Sequence, residues 1–268
     1  MAKVHANGID IDYELTGSGP PLLLIAGLGY GRWQWHMVIP GLAEHFQVVA
    51  FDNRGAGGTD KPDGPYTVQM LAADTAGLLD ALGIRRAHVL GHSMGGFIAQ
   101  QLVLTRPDLV DRLILASTNF GGPNHVPVTP VALAAMMDRS GDVLDVVRRG
   151  IAVAAAPGFS EAHPELLQEL VAYRLGNPVP PAQYQAQMAV GLGLLGAESC
   201  FEHRLAAIQS PTLIFFGEHD QVVPPANAEL LARAIPHSTV RILAEAGHIW
   251  MIERPAAAVA EIARFLER

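Results

Sequence analysis

The sequence predicts an α/β fold built on a mostly parallel, doubly wound sheet. Short and nearly continuous apolar runs recur along the chain, as expected for parallel strands that are covered on both faces. Helical stretches such as 68–82 and 97–105 separate these runs, and strand alternating with helix implies right-handed βαβ units. The runs assigned to buried strands are 21–26, 48–51, 87–90, 113–116 and 212–216.

The first predicted strand has a different pattern. Ile9, Ile11, Tyr13 and Leu15 alternate with acidic residues, and a period of two is typical of a strand with one buried face. We therefore expect a half-buried strand over 9–15 with the acidic side chains on its other face.

The alternation of strand and helix breaks once, from about residue 124 to residue 202. This stretch is rich in Ala, Leu and Val, contains seven prolines and has no convincing strand pattern. It predicts a helical cap inserted between two strands of the sheet. The expected organisation is therefore a core formed by 1–123 and 203–268, with the cap at 124–202 and a final helix over 256–266.

Composition narrows the possible partners and location. The chain has 18 Lys and Arg against 26 Asp and Glu, a net charge of −8, without a basic cluster, so neither nucleic acid nor a membrane surface is an expected partner. No apolar stretch is typical of a signal peptide or a membrane span, which predicts a cytoplasmic protein. The single cysteine, Cys200, excludes an internal disulfide, and we expect neither a metal nor a cofactor.

The strongest chemical signal is a G-x-S-x-G motif formed by Gly91, Ser93 and Gly95. It follows a predicted strand and precedes a predicted helix. A strand that turns sharply into a helix crowds the positions two residues either side of the central one, and glycine relieves that crowding. The motif predicts that Ser93 is a nucleophile held at the carboxyl edge of the sheet.

A serine nucleophile needs an adjacent base, and His248 is the best of the eleven histidines. It follows the late strand 240–243 by a short loop, at the edge where such a sheet gathers its functional groups. The competitor is His219, next to the candidate acid Asp220. Neighbouring side chains diverge on a sharp turn, so only one of these two should face the site.

The acid that orients the base is predicted to be Asp220, on the turn after the buried strand 212–216. Such an acid fixes the tautomer of the histidine and stabilises the imidazolium. Glu218 is a distant second candidate. The end of the preceding strand carries Asn119 but no carboxylate, and the order Ser, Asp, His is the one this topology requires.

The oxyanion formed during attack on an ester needs two N–H donors. One is the backbone amide of Met94, directly after the nucleophile. The second should come from the glycine-rich loop 25–31, in which Leu28 is the best placed donor. A phosphate-binding role for this loop is disfavoured because no Lys-Ser/Thr pair follows it.

Taken together, these motifs resemble the α/β-hydrolase superfamily over essentially the full chain. The chain is most similar to small, lid-bearing bacterial esterases, enol-lactonases and carbon–carbon bond hydrolases. The matching segments are 26–29, 52–55, 58–62, the Ser93 elbow, 217–220 and 246–248. Where many members have His-Gly this chain has Ala26-Gly27, which leaves the closest subfamily open. A serine at the elbow excludes the haloalkane dehalogenases and epoxide hydrolases, which need aspartate there.

The resemblance implies hydrolysis of a small carboxylic ester or lactone through an acyl-enzyme. Acyl transfer, cofactor-free perhydrolysis or halogenation, and carbon–carbon bond hydrolysis are alternatives that use the same triad, and a ligand receptor on the same scaffold is a further one. The substrate pocket should lie between the sheet edge and the cap. Its candidate lining residues are Trp250, Met136, Met137, Tyr173, Tyr184 and Met188.

Overall fold

The computed structural model describes residues 2–138 and 140–267, and within them the chain forms eight strands and eleven α-helices. The strands are β1 Ala2–Ala6, β2 Ile9–Thr16, β3 Pro21–Ile25, β4 Gln47–Phe51, β5 Ala87–His92, β6 Val110–Ala116, β7 Thr212–Gly217 and β8 Ser238–Leu243. The helices are α1 Ile39–Leu42, α2 Val68–Ala81, α3 Met94–Thr105, α4 Pro130–Met137, α5 Val143–Ala154, α6 Phe159–Ala162, α7 Pro164–Gly176, α8 Pro181–Leu192, α9 Ala226–Ala234, α10 Trp250–Glu253 and α11 Pro255–Leu266.

All eight strands belong to one sheet in the order β1-β2-β4-β3-β5-β6-β7-β8. Only the β1–β2 and β2–β4 pairs are antiparallel, and the five remaining pairs are parallel. β5 and β7 are buried at every position, because helices cover both faces of the sheet. The predicted fold class is therefore confirmed.

Two apolar layers flank the sheet and make it doubly wound. One layer includes Leu78 of α2, Leu102 of α3 and Leu231 of α9. The other includes Leu42 of α1 and Ile262 of α11. Each helix therefore buries one apolar stripe against the strands, as a two-layer cover on a parallel sheet requires.

The beginning of the chain differs from the prediction in two ways. β1 is a strand that the sequence analysis did not identify, because four of its five residues are at least partly exposed and show no apolar alternation. In β2, Asp12 is buried while Leu15 is 45% exposed, so the predicted division of the two faces is wrong at these positions. Asp12 is buried because its carboxylate pairs with Arg32 at 3.2 Å.

The helical insertion lies between β6 and β7, which are neighbouring parallel strands. From Ala116 to Thr212 the described residues form α4 to α8 and no strand. Thr129 accepts the Ala132 N–H at the start of α4, and Asp142 forms a capping box at the start of α5. None of the helices in the described ranges has the length and apolar character needed to cross a membrane.

Candidate active site

Ser93 lies on the sharp turn between β5 and α3. Its backbone has φ 56° and ψ −118°, a strained conformation for a residue with a side chain. A Cβ atom at Gly91 would lie 2.2 Å from the Gly95 carbonyl oxygen, and one at Gly95 would lie 2.2 Å from the Ile25 carbonyl oxygen. The flanking glycines are therefore required by close backbone approach, and the turn leaves Ser93 partly exposed.

The structure brings His248 and Asp220 together. Asp220 follows β7, His248 follows β8, and the distance from His248 Nδ1 to Asp220 Oδ2 is 2.8 Å. The two residues are 7% and 3% exposed. The second carboxylate oxygen, Oδ1, accepts the backbone N–H groups of Val222 and Val223 at 3.0 and 2.8 Å. The carboxylate is thus fixed in orientation, with one oxygen directed at the imidazole.

The two competing side chains do not pair with His248. His219 is exposed, with Nε2 3.7 Å from the Glu218 carboxylate. Glu218 in turn accepts the backbone N–H of Glu245 at 3.1 Å. The turn after β7 therefore separates adjacent side chains as expected, and Asp220 is the residue directed toward His248.

The loop after β3 holds most of its polar groups in hydrogen bonds. The Gly27 N–H donates to Gln34 Oε1 at 2.9 Å, and the Gly29 N–H donates to Gln187 Oε1 at 3.0 Å. For the Leu28 N–H between them, no acceptor is found among the described residues. This amide is left available to a ligand by a loop that is otherwise fixed.

The backbone N–H of Met94 is in the same situation. Met94 is the first residue of α3, so its amide has no partner within the helix, and the described part of the chain supplies none from elsewhere. The amino end of a helix also favours negative charge. The two amides that the sequence predicts as oxyanion donors thus both lack an acceptor within residues 2–138 and 140–267.

The predicted pocket residue Trp250 lies in the core. It is fully buried, and its ring packs edge-on against Phe215 with the centroids 4.7 Å apart. This position gives no support to the prediction that Trp250 walls the substrate pocket, because a residue without accessible surface cannot contact a ligand there.

The five predicted cap residues are spread over different environments. Tyr184 packs against the loop after β3, where a Cβ on Gly29 would lie 2.7 Å from the Tyr184 ring. Tyr173 stacks on Trp33 with centroids 5.3 Å apart. Met136 is half-buried, and Met137 and Met188 are exposed. The two tyrosines therefore pack against the segment after β3, whereas the three methionine side chains are partly or largely in solvent.

Glu253 is a half-buried acid that the sequence patterns do not single out. Its Oε1 accepts the Ala156 N–H at 2.6 Å and its Oε2 accepts the Gly247 N–H at 2.8 Å. Burial raises the pKa of Glu253, partly opposed by these two hydrogen bonds. The carboxylate joins the cap to the loop that carries His248. Its only signal in the sequence is an acid at the end of the apolar run 249–252.

Three further buried polar side chains were missed: Gln34, His92 and Gln187. Each bonds to a segment distant in sequence, which no local pattern reports. As for metals, residues 2–138 and 140–267 contain no group of His, Cys, Asp or Glu side chains that could hold an ion.

A mostly parallel sheet with Ser93, Asp220 and His248 after three of its strands is an arrangement that can be compared with known protein families. Residues 20–255 match the family described as the alpha/beta hydrolase fold. The chain belongs to this family.

Proteins similar to this chain are named for several different activities. The chain is 32% identical to the "putative non-heme bromoperoxidase" of Mycobacterium tuberculosis, over 96% of this chain and 97% of that protein. It is 30% identical to the pimeloyl-[acyl-carrier protein] methyl ester esterase of Aeromonas hydrophila, over 96% and 100%. Among solved structures, the enol-lactonase from Burkholderia xenovorans LB400 is similar with a TM-score of 0.82 and 27% identity, each chain covering 100% of the other.

Proposed function

We propose that the chain is a serine hydrolase that cleaves small carboxylic esters or lactones. Ser93 is the nucleophile, His248 the general base and Asp220 the acid that orients it. Residues 124–202 are the cap over the substrate. The observation that carries the proposal is the buried Asp220–His248 hydrogen bond, 2.8 Å long, beside a strained serine turn.

The chemistry follows from the acceptor character of the carboxylate. An ionised Asp220 only accepts hydrogen bonds, so the neutral His248 ring carries its proton on Nδ1. Nε2 is then free to take the proton of Ser93 as the hydroxyl attacks the carbonyl carbon. The alcohol leaves with that proton, and water, activated by the same nitrogen, releases the acid from Ser93.

The N–H groups of Leu28 and Met94, for which the described part of the chain supplies no acceptor, form the proposed oxyanion hole. Negative charge develops on the carbonyl oxygen only as the tetrahedral intermediate forms, so donors fixed beforehand stabilise the transition state most. Removal of one such donor costs about 10²–10³-fold in kcat in other hydrolases.

The substrate class is supported by two similarities. One relative is named for hydrolysis of a methyl ester and one similar structure is an enol-lactonase. The test is a panel of 4-nitrophenyl esters of increasing chain length beside a panel of lactones, with wild type and Ser93→Ala. We expect turnover by the wild type and loss of at least about 10⁴-fold in the variant. Equal rates for the two proteins would contradict the proposal.

A second candidate activity is cofactor-free perhydrolysis, in which peroxide replaces water in the attack on the acyl-enzyme. The similarity to the bromoperoxidase relative favours it. Product partition between water and added peroxide or alcohol separates hydrolysis from perhydrolysis and acyl transfer. The solved structure of a meta-cleavage product hydrolase from Pseudomonas fluorescens is 23% identical to this chain, a similarity that supports the fold alone.

A further inference from the structure

A chain of three hydrogen bonds crosses the site behind Ser93. The Gly27 N–H donates to Gln34 Oε1 at 2.9 Å. Gln34 Nε2 lies 2.9 Å from His92 Nδ1, and His92 Nε2 lies 2.8 Å from the His248 carbonyl oxygen. These hydrogen bonds join the oxyanion loop (residues 26–29), the serine turn and the base loop (residues 244–249).

The direction of every bond in this chain is fixed by its two ends. A backbone N–H only donates, so the amide oxygen of Gln34 faces Gly27 and its NH₂ faces His92. A carbonyl only accepts, so His92 carries its proton on Nε2, toward His248. The remaining nitrogen, Nδ1, is then the acceptor that the Gln34 NH₂ needs. All donors and acceptors are matched only while His92 is neutral.

The surroundings keep His92 neutral and fixed. Burial, and then the nearby His248, hold the pKa of His92 well below its usual range, and its hydrogen bond to the His248 backbone only partly opposes them. Trp35 and Trp250 pack edge-on against the ring at 6.2 and 6.1 Å. Among the described residues, His248 is the titratable side chain that faces His92, with ring centroids 4.6 Å apart.

We propose that Gln34 and His92 are positioning residues that hold the oxyanion loop and the base loop in their reactive geometry. The proposal rests on the proposed function, because the geometry concerned is that of the Leu28 amide and the His248 ring. His92 holds the base loop in place while its own ring stays neutral. A second imidazolium at this distance would oppose the positive charge that His248 acquires during attack.

The first test replaces Gln34 by leucine, which has a similar size and no hydrogen-bonding group. A displacement of about 1 Å at a reacting group costs on the order of 10²-fold, so we expect kcat to fall about 10–100-fold with KM changed less than about threefold. The matched control is Gln101→Leu. Gln101 is also a buried glutamine, but its side chain accepts from Arg204 at 3.3 Å and not from the three loops.

The second test is Gln34→Glu, which changes charge and restores an acceptor for the Gly27 N–H. The carboxylate accepts from His92 Nδ1, so His92 holds protons on both nitrogens and becomes an imidazolium beside His248. We expect kcat at the optimal pH to recover part of the loss seen in Gln34→Leu. The acid limb of the pH–rate profile should also move to lower pH, because the nearer positive charge disfavours protonation of His248. The shift of this limb reports the protonation of His92 beside His248, and the recovery of kcat reports the restored bond to the Gly27 N–H.

The third measurement is nitrogen NMR of His92 in the wild type, which needs no substrate. We expect a neutral ring with its proton on Nε2 at pH 6.5, where an ordinary histidine is about half protonated. A ring that is half protonated at this pH, or one with its proton on Nδ1, overturns the proposed polarity of the hydrogen bonds.

The outcomes separate this proposal from the proposed function. Lack of turnover by the wild type on all esters and lactones refutes the function, and the positioning role with it. Wild-type turnover with equal kcat values for Gln34→Leu and Gln101→Leu refutes the positioning role alone. If Gln34→Leu does not fold, a Gln34→Glu pH profile that superimposes on that of the wild type refutes it equally.

Discussion

Replacement of Asp220 by asparagine should inactivate the protein through the tautomer of His248. In the native site Oδ1 accepts two backbone N–H groups and Oδ2 faces His248 Nδ1. The asparagine must keep its oxygen toward the two N–H donors, so its NH₂ group faces the ring. His248 must then accept at Nδ1 and carry its proton on Nε2, where it cannot take the proton of Ser93.

The size of this effect follows from the geometry. The variant keeps the two backbone hydrogen bonds, so the fold should be little affected and the loss should be in catalysis. An imidazole in the wrong tautomer costs about 10⁴-fold in kcat, which corresponds to about 5–6 kcal/mol of transition-state stabilisation. The assay is the steady-state kcat on a 4-nitrophenyl ester at neutral pH, with thermal unfolding as a check on folding.

Glu218→Gln is the matched control for this experiment. It removes a carboxylate two residues away on the same turn, which contacts the Glu245 N–H and the His219 ring. We expect kcat to change less than about threefold, because exposed polar contacts contribute little. Retention of more than about a tenth of the activity by Asp220→Asn would refute the tautomer argument. A larger loss of kcat in Glu218→Gln than in Asp220→Asn would show that Asp220 is not the acid that orients His248.

Three other perturbations probe the scaffold, the cap and the pH response. Gly95→Ala should destabilise the fold by about 1–3 kcal/mol or more, because its Cβ would meet a backbone oxygen of β3 at 2.2 Å. Gly150→Ala in α5, where a Cβ meets nothing within 4 Å, should instead stabilise the fold by about 0.5–1 kcal/mol. Urea unfolding that found Gly150→Ala less stable than Gly95→Ala would contradict this reasoning. Tyr184→Ala should alter chain-length preference more than the rate on the smallest ester, whereas Met137→Ala at an exposed site should leave the preference unchanged. Burial raises the pKa of Glu253, so the contribution of this side chain to the free energy of unfolding falls as pH rises through that pKa. The stability lost in Glu253→Gln should therefore be larger at pH 4 than at pH 7. A loss of stability that grew with pH would indicate a lowered pKa instead.

Much of the fold was predictable because its signals are local. A continuous apolar run followed by a helical period predicts a buried parallel strand wherever it occurs. The G-x-S-x-G motif predicts its turn for steric reasons that are internal to the motif. Asp220 and His248 follow strands directly, so the topology alone directs them toward one edge of the sheet.

The rest depends on contacts that no local pattern contains. Asp12 is buried because Arg32, from another segment, pairs with it. Gln34 and Gln187 read as ordinary polar residues, and their importance appears only when the β3 loop is placed against them. Trp250 follows His248 closely in sequence, but the turn into α10 carries its side chain into the core.

Covalent labelling can show directly whether Ser93 is the nucleophile. The wild type is reacted with a fluorophosphonate, and the modified residue is located by mass spectrometry of the digested protein. We expect one adduct per chain, on Ser93, and none in Ser93→Ala. Ser117 is the informative alternative, since it also follows a buried strand with a positive φ of 46° but is itself buried. An adduct on Ser117 or any other residue, or none in a protein that turns over esters, would contradict the assignment.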